Sequence, residues 1–202
     1  FGVDQLIGSV RYHGITCINN QISRAYIDVN RPVDALDNAM FASPPTAANT
    51  AAASSRHVRA GYGLLPRLTA AREVIHRQLL PSDEVESRIA LVHKPYHQAI
   101  QAALTNAHSH FGRSLLIDCH SMPSHDQHDK PVADFVLGDL HQSTLDPAIG
   151  DLLAKIITEA GYTLAWNHPY AGGYLTKNYG RAATRQQSGQ IEINRSLYIT
   201  LQ

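Results

Sequence analysis

"LDPAIGDLLAKIITEAGYTLAW", residues 145–166, decides the fold class. Asp146 is placed to cap a helix, and Pro147 suits the first turn, where a backbone N–H has no partner to lose. Ile149, Leu152, Leu153, Ile156 and Ile157 recur at spacings of three and four, so they are expected to form its buried face. Gly161 ends the helix, and "YTLAW" follows at once as a strand. A helix running straight into a strand is half of an α/β repeat.

Working outward, "SLLIDC" (114–119) reads as a buried strand ahead of that helix. "GQIEINRSLY" (189–198) reads as a strand behind it, with Gln190, Glu192 and Asn194 on one face and Ile191 and Ile193 on the other. "GITCIN" (14–19) is a short β-branched run and an expected strand. The longest helix is expected to start near Ser82 and Asp83, with Glu86 as capping partner. Val85, Ile89, Val92, Tyr96, Ile100, Ala103 and Ala107 then make one apolar stripe, which Pro95 should kink or split. "SPPTAANTAAASS" (43–55) and "GYGLLPR" (61–67) read as loops. The expectation is one α/β domain over residues 1–202, a sheet with helices on both faces. The chain opens at Phe1 without a methionine, so the natural protein is expected to extend further at its N-terminus.

Composition narrows the function. The 17 basic and 17 acidic side chains cancel, and no basic run suggests nucleic acid. No segment is long and apolar enough to suggest a membrane span. Cys17 and Cys119 make no disulfide framework, which favours a reducing, cytoplasmic setting. A small-molecule substrate is the expected partner.

In open α/β sheets ligands gather at the carboxyl ends of strands, and "IDCHS" stands at such an end. Strand alternation puts Asp118 and His120 on one face and turns Cys119 away, which disfavours a Cys–His nucleophile. The pair suits a metal-ligating histidine with a supporting carboxylate; the alternative is a histidine that simply caps a strand. Glu192 is a lone carboxylate in an apolar strand, either a general base or acid tuned by burial or an ion-pair partner of Arg195. "SRAYIDVNR" gathers Arg24, Asp28, Asn30 and Arg31, a grip for a carboxylate and a polarised carbonyl or else a solvated turn. The glycines of "YAGGY" (Gly172, Gly173, then Tyr174) allow a close backbone approach to a ligand, or mark an ordinary turn. His125 and His128 in "SHDQHD" offer a weaker metal-binding alternative to a solvated loop, and His97 could face a cleft or a core.

"SRAYIDVNRP", "AGYGLLPR", "KPYHQAI", "LLIDCHSMPS", "DFVLGD", "NHPYAGGYLTKNYG" and "QIEINRSLYI" occur in that order. The set resembles the N-formylglutamate amidohydrolase (deformylase) family, itself similar to the zinc carboxypeptidase and aspartoacylase superfamily. The resemblance implies a mixed, largely parallel central sheet with helices on both faces, of the zinc-carboxypeptidase (phosphorylase/hydrolase-like) kind. It implies hydrolysis of N-formyl-L-glutamate to glutamate and formate, at the end of histidine degradation, with Zn2+ as cofactor. By the same resemblance His120 is a zinc ligand, Glu192 the base and Arg24 the group facing the scissile carbonyl, with Asn30 and Arg31 holding the substrate. The remaining zinc ligands are expected before residue 1, and Asp4 matches a recurring family acid without an assigned ligand role. Two alternatives stay open: a zinc hydrolase for another N-acyl amino acid or peptide, and a non-catalytic binding protein of the same fold.

Overall fold

The computed structural model describes residues 2–45, 55–69, 71–126 and 128–199, the side chain of Ala182 excepted. In chain order its helices are α1 (Val3–Leu6), α2 (Arg56–Arg59), α3 (Asp83–Arg88), α4 (Lys94–Phe111), α5 (Pro147–Glu159) and α6 (Tyr174–Tyr179), alongside short 3₁₀ turns. The strands are β1 (Ser114–Met122), β2 (Phe135–Gly138), β3 (Leu164–Trp166) and β4 (Gln186–Asn194). Two compact units are distinguished, one of Phe1–Cys17 with Ala103–Gln202, the other of Ile18–Ala102.

The first unit holds the sheet, in the order β1-β4-β2-β3. β1 pairs with β4 and β2 with β3 in parallel, while β2 and β4 run antiparallel, so the sheet is mixed and largely parallel. β2 is a four-residue apolar run, too short for its pattern to stand out in the sequence. Register fixes the faces. His120 lies beside Glu192 and Asp118 beside Gln190, so all four side chains share one face. Cys119, Ile191, Leu137 and Trp166 share the other. On that second face Gly150 of α5 sits under the Trp166 ring, where an added Cβ would come within 2.9 Å. On the first face α6 approaches β4, and Gln186 Nε2 donates to the Tyr179 carbonyl at 2.9 Å. Helices therefore cover both faces of this sheet.

α5 starts as expected, with Asp146 accepting from the Ala148 N–H at 2.9 Å and Pro147 in the first turn; Gly161 follows at φ +87°. Its buried face is narrower than the periodicity implies. Ile149, Leu153 and Ile157 are half-buried, whereas Leu152 and Ile156 are each 56 % exposed. "GITCIN" forms no strand: a 3₁₀ turn, Gly8–His13, ends at Gly14 with φ +75°, and residues 15–19 run without regular structure. Its β-branched residues have propensity but no partner strand, and Ile15 is exposed.

The second unit is built on Ile27, Leu36, Met40, Phe41, Leu64, Leu65 and Val85, with Leu80, Ile89 and Val92 packed against them. The expected stripe holds, every member buried or half-buried from Val85 to Ala107. The capping box does not form. Ser82 makes no side-chain cap, and its hydroxyl instead accepts from the Ser43 hydroxyl at 3.4 Å. The helix does not stop at Pro95. α3 passes into α4 through a π turn, Ile89–His93, placed just ahead of the residue that lacks an N–H. Of the loop expected at 43–55, residues 46–54 lie outside the described residues, while Ser55 caps α2 by accepting from the Val58 N–H at 3.3 Å.

Candidate active site

In the first unit the carboxyl ends of β1 and β4 carry the chemistry. Asp118 Oδ2 lies 2.8 Å from His120 Nε2. An imidazole held at Nε2 by a carboxylate would present Nδ1 to a metal, the arrangement in which the supporting group fixes tautomer and ring orientation. Next to it on β4, Glu192 is 7 % exposed and its Oε1 accepts from Gln190 Nε2 at 2.8 Å. The Gln190 side-chain oxygen Oε1 is buried without a hydrogen bond among the described residues. Arg195 donates to the Ser121 hydroxyl and carbonyl at 3.2 and 3.3 Å. Cys119 points to the opposite face of the sheet from His120, and burial first, then the Asp118 charge and Cys17, push its thiol up to about 12, which disfavours it as a nucleophile.

The loop after β3 closes over this face. Gly138, opposite Gln190, lies so close to Ala171 and Gly172 that a Cβ there would meet their backbone at 2.7–2.8 Å. Gly172 has φ +128° and faces Thr176 and Leu140, so its glycine is required by conformation and packing within the protein. Gly173 is extended and caps α6, and Tyr174 begins that helix half-buried. Tyr170, which sequence reasoning did not single out, has its phenol pushed up by burial first and then by Glu192, with Arg195 opposing. It therefore stands within electrostatic reach of the carboxylate; its only sequence signal is its place ahead of the glycines.

Other expected residues fall away from this group. His125 and His128 are exposed, and Asp126 between them accepts the His128 and Lys130 N–H groups at 2.8 and 3.0 Å, which makes the segment a turn. Asp4 is exposed in the first turn of α1. Among the described residues no three His, Cys, Asp or Glu side chains stand together as a metal site. The chemistry of the His120–Asp118 pair is that of one metal ligand and its orienting carboxylate, and no third such side chain joins them among the described residues.

In the second unit Asp28 organises the arginines. It is 3 % exposed and accepts from Arg24 Nε and Nη2 at 2.8 and 2.7 Å, while Arg31 Nε lies 3.7 Å away. Its other oxygen accepts the Asn30 N–H at 3.0 Å and closes a tight turn. The Arg24 side chain is 58 % exposed, and that of Arg31 only 12 %. Arg31 also donates from Nε to the Tyr62 carbonyl and from Nη1 to the Asn30 carbonyl, at 2.9 and 2.8 Å. Its Nη2 faces His57 Nδ1 at 3.5 Å. His57 is pushed down by burial first and then by Arg31, Arg24 and Arg56, so it stays a neutral neighbour of a cationic cluster. His97 turns inward to this segment, its Nε2 donating to the Val29 carbonyl at 2.9 Å.

The family model for N-formylglutamate amidohydrolase matches residues 1–199. The N-formylglutamate deformylase of Pseudomonas putida is 30% identical over 202 residues, 98% of this chain and 69% of that protein. The N-formylglutamate deformylase of Pseudomonas aeruginosa is 30% identical over 191 residues, 92% of this chain and 65% of that one. The crystal structure of N-formylglutamate amidohydrolase from Ralstonia eutropha JMP134 superposes with a TM-score of 0.79 at 38% identity, covering 88% of this chain and 64% of that chain. A gene product from Agrobacterium tumefaciens shares the fold at a TM-score of 0.58 and 16% identity, over 87% of this chain and 58% of that one. The chain therefore spans about two-thirds of the length of these relatives. With the family model matched along nearly its whole length, the chain belongs to the N-formylglutamate amidohydrolase family.

Proposed function

We propose that this chain carries the hydrolytic machinery for the formamide bond of N-formyl-L-glutamate, releasing glutamate and formate. The observation that carries the reading is the register match of His120 with Glu192: an oriented imidazole and a buried, amide-held carboxylate on one face at the carboxyl ends of two parallel strands. The names of the relatives support the substrate.

A zinc ion, with His120 as one ligand and Asp118 behind it, would acidify a water and polarise the formamide oxygen. Glu192 accepts a proton from the attacking water. Its Oε1 is held by the Gln190 side-chain amide at 2.8 Å, which orients the carboxylate. As the C–N bond breaks, Glu192 returns the proton to the amine nitrogen and formate leaves. The family resemblance assigns the formamide oxygen to Arg24 and the substrate's carboxylate to Asn30 and Arg31. Guanidinium and amide groups of this kind suit anion binding. Gly172, Gly173 and Tyr174 are proposed as the backbone and ring that border the substrate.

Formate release from a panel of N-acyl amino acids tests the substrate, and N-formylglutamate should be the preferred member. Glu192→Gln keeps the shape and the fold, and should lower turnover by ~10²–10⁴. Near-normal turnover in that variant would remove Glu192 from the mechanism.

A further inference from the structure

Three side chains on one helix each reach a backbone carbonyl more than sixty positions earlier in the chain. Arg88 Nη1 donates to the Tyr26 carbonyl at 2.7 Å, His93 Nε2 to that of Arg31 at 2.9 Å, and His97 Nε2 to that of Val29 at 2.9 Å. We propose that Arg88, His93 and His97 form a clamp on the backbone of residues 26–31, and that its work is to hold Asn30 and Arg31 in the conformation that receives substrate. They are positioning residues. The inference rests on the substrate-binding role proposed above for Asn30 and Arg31.

Helix geometry explains why the clamp exists in this register. In a regular α-helix, residues four apart share a face and residues five apart do not. His93 and His97 are four apart and stack, their ring centroids 4.1 Å from each other. Arg88 and His93 are five apart, and the interval between them is the π turn Ile89–His93. A π turn closes its hydrogen bonds from i to i+5, so it brings five-apart residues into line. The extra residue thus adds His93 to the row begun by Arg88, while Val85, Ile89 and Val92 keep to the core side. At the far end of the row, Arg88 is fixed in turn by Glu84, which accepts from its Nε and Nη2 at 2.9 and 2.7 Å, and by the Tyr26 ring 4.1 Å below its guanidinium.

The carbonyls held are the informative ones. Those of Val29 and Arg31 flank Asn30, whose own N–H is taken by Asp28 and whose own carbonyl is taken by Arg31. Around Asn30 each of these backbone groups therefore has a named partner, and no peptide in 29–31 can rotate without breaking a hydrogen bond. A histidine is suited to this task. As a neutral ring it gives one N–H to a carbonyl, and two neutral rings can stack where two cations would repel. Burial pushes both rings down, His97 to about 4.

The test uses the intact protein with N-formylglutamate. His97→Leu fills the space but cannot donate, whereas His97→Gln restores an N–H of similar reach. The leucine variant should raise KM about tenfold with kcat changed by less than about threefold, the cost of one orphaned carbonyl appearing in ground-state binding. The glutamine variant should bring KM back toward the wild-type value. A leucine variant with unchanged KM, or a glutamine variant as impaired as leucine, overturns the clamp. Arg31→Ala is measured beside them after its fold is checked by circular dichroism. If its KM is also unchanged, the substrate-binding role of Arg31 fails on its own account. The clamp is then judged by nitrogen NMR of the imidazoles at neutral pH: neutral rings protonated at Nε2 support it, and rings protonated at Nδ1 or charged overturn it.

Discussion

Gly138→Ala places one methyl group against the backbone of the loop that closes the candidate site. The new Cβ would lie 2.7 Å from the Ala171 carbonyl carbon, 2.8 Å from its oxygen and 2.8 Å from the Gly172 nitrogen. None of these atoms belongs to a flexible side chain, so the loop itself must retreat by roughly 0.7 Å to reach ordinary contact. It is tied down at several points. Leu140 N–H donates to the Ala171 carbonyl at 2.8 Å, Asn167 N–H to the Leu137 carbonyl at 2.8 Å, and the Asn167 side chain bonds Asp139. Overpacking of this kind costs about 1–3 kcal/mol, and losing the Leu140 bond about 0.5–1.5 kcal/mol more. A total of about 2–4 kcal/mol should lower Tm by roughly 5–15 °C for a chain of this size. Urea unfolding should show a lower midpoint with the slope unchanged. Because the same loop carries Tyr170, within electrostatic reach of Glu192, kcat should fall as well, by about ten- to a hundredfold. A variant as stable as wild type within about 0.5 kcal/mol would show that the loop does not seat on β2, and would refute the reasoning.

Three further predictions follow from the two groups of residues. His120→Ala in the intact protein should lose most of its bound zinc by elemental analysis, and Asp118→Asn should weaken zinc by about 10–100-fold; unchanged content in the first variant removes His120 from coordination. Arg24→Ala should lower kcat by ~10²–10³ with little change in KM, and Arg31→Ala should mainly raise KM; steady-state kinetics in which both alter only KM would refute the carbonyl-facing role of Arg24. For His97, the folded value of about 4 lies below the unfolded 6.5, so the unfolded chain binds the extra proton between them. Its contribution to stability is full above pH 6.5, is lost as pH falls toward 4, and amounts to about 1–2 kcal/mol after discounting for solvent around the partly exposed ring. Urea melts from pH 7 to 4 should show a shallower loss in His97→Gln, and identical slopes in the two proteins would refute it.

Parity was the most informative sequence signal. Alternation alone puts Asp118 with His120, and Gln190 with Glu192, on shared faces. It does not say that β4 lies beside β1, and only that pairing brings His120 to Glu192. Register between distant strands depends on the whole sheet, so the site was legible as two halves. The same limit hid the clamp: the stripe from Val85 to Ala107 is periodic, but partners more than sixty residues away leave no local trace. Pro95 pointed to an irregularity in the right helix, and it takes the form of a π turn, Ile89–His93, just ahead of the proline. Leu152 and Ile156 mark the converse case. Periodicity tells which residues share a helix face, and the neighbouring elements decide how much of that face is covered.

The position of β4 bears on how the protein acquires its structure. Among the described residues it is the last of the four strands in chain order, yet it is inserted between β1 and β2, pairing with both. During synthesis β1 and β2 are made with the slot between them vacant, each offering an unpaired edge. The long-range pairing of β4 carries a large loop-closure cost, which makes it slow. Until it docks, His120 has no Glu192 beside it, and the nascent sheet is open to strands from other molecules. Chaperone dependence and aggregation of truncated chains should therefore track the availability of residues 186–194 more closely than that of any other strand.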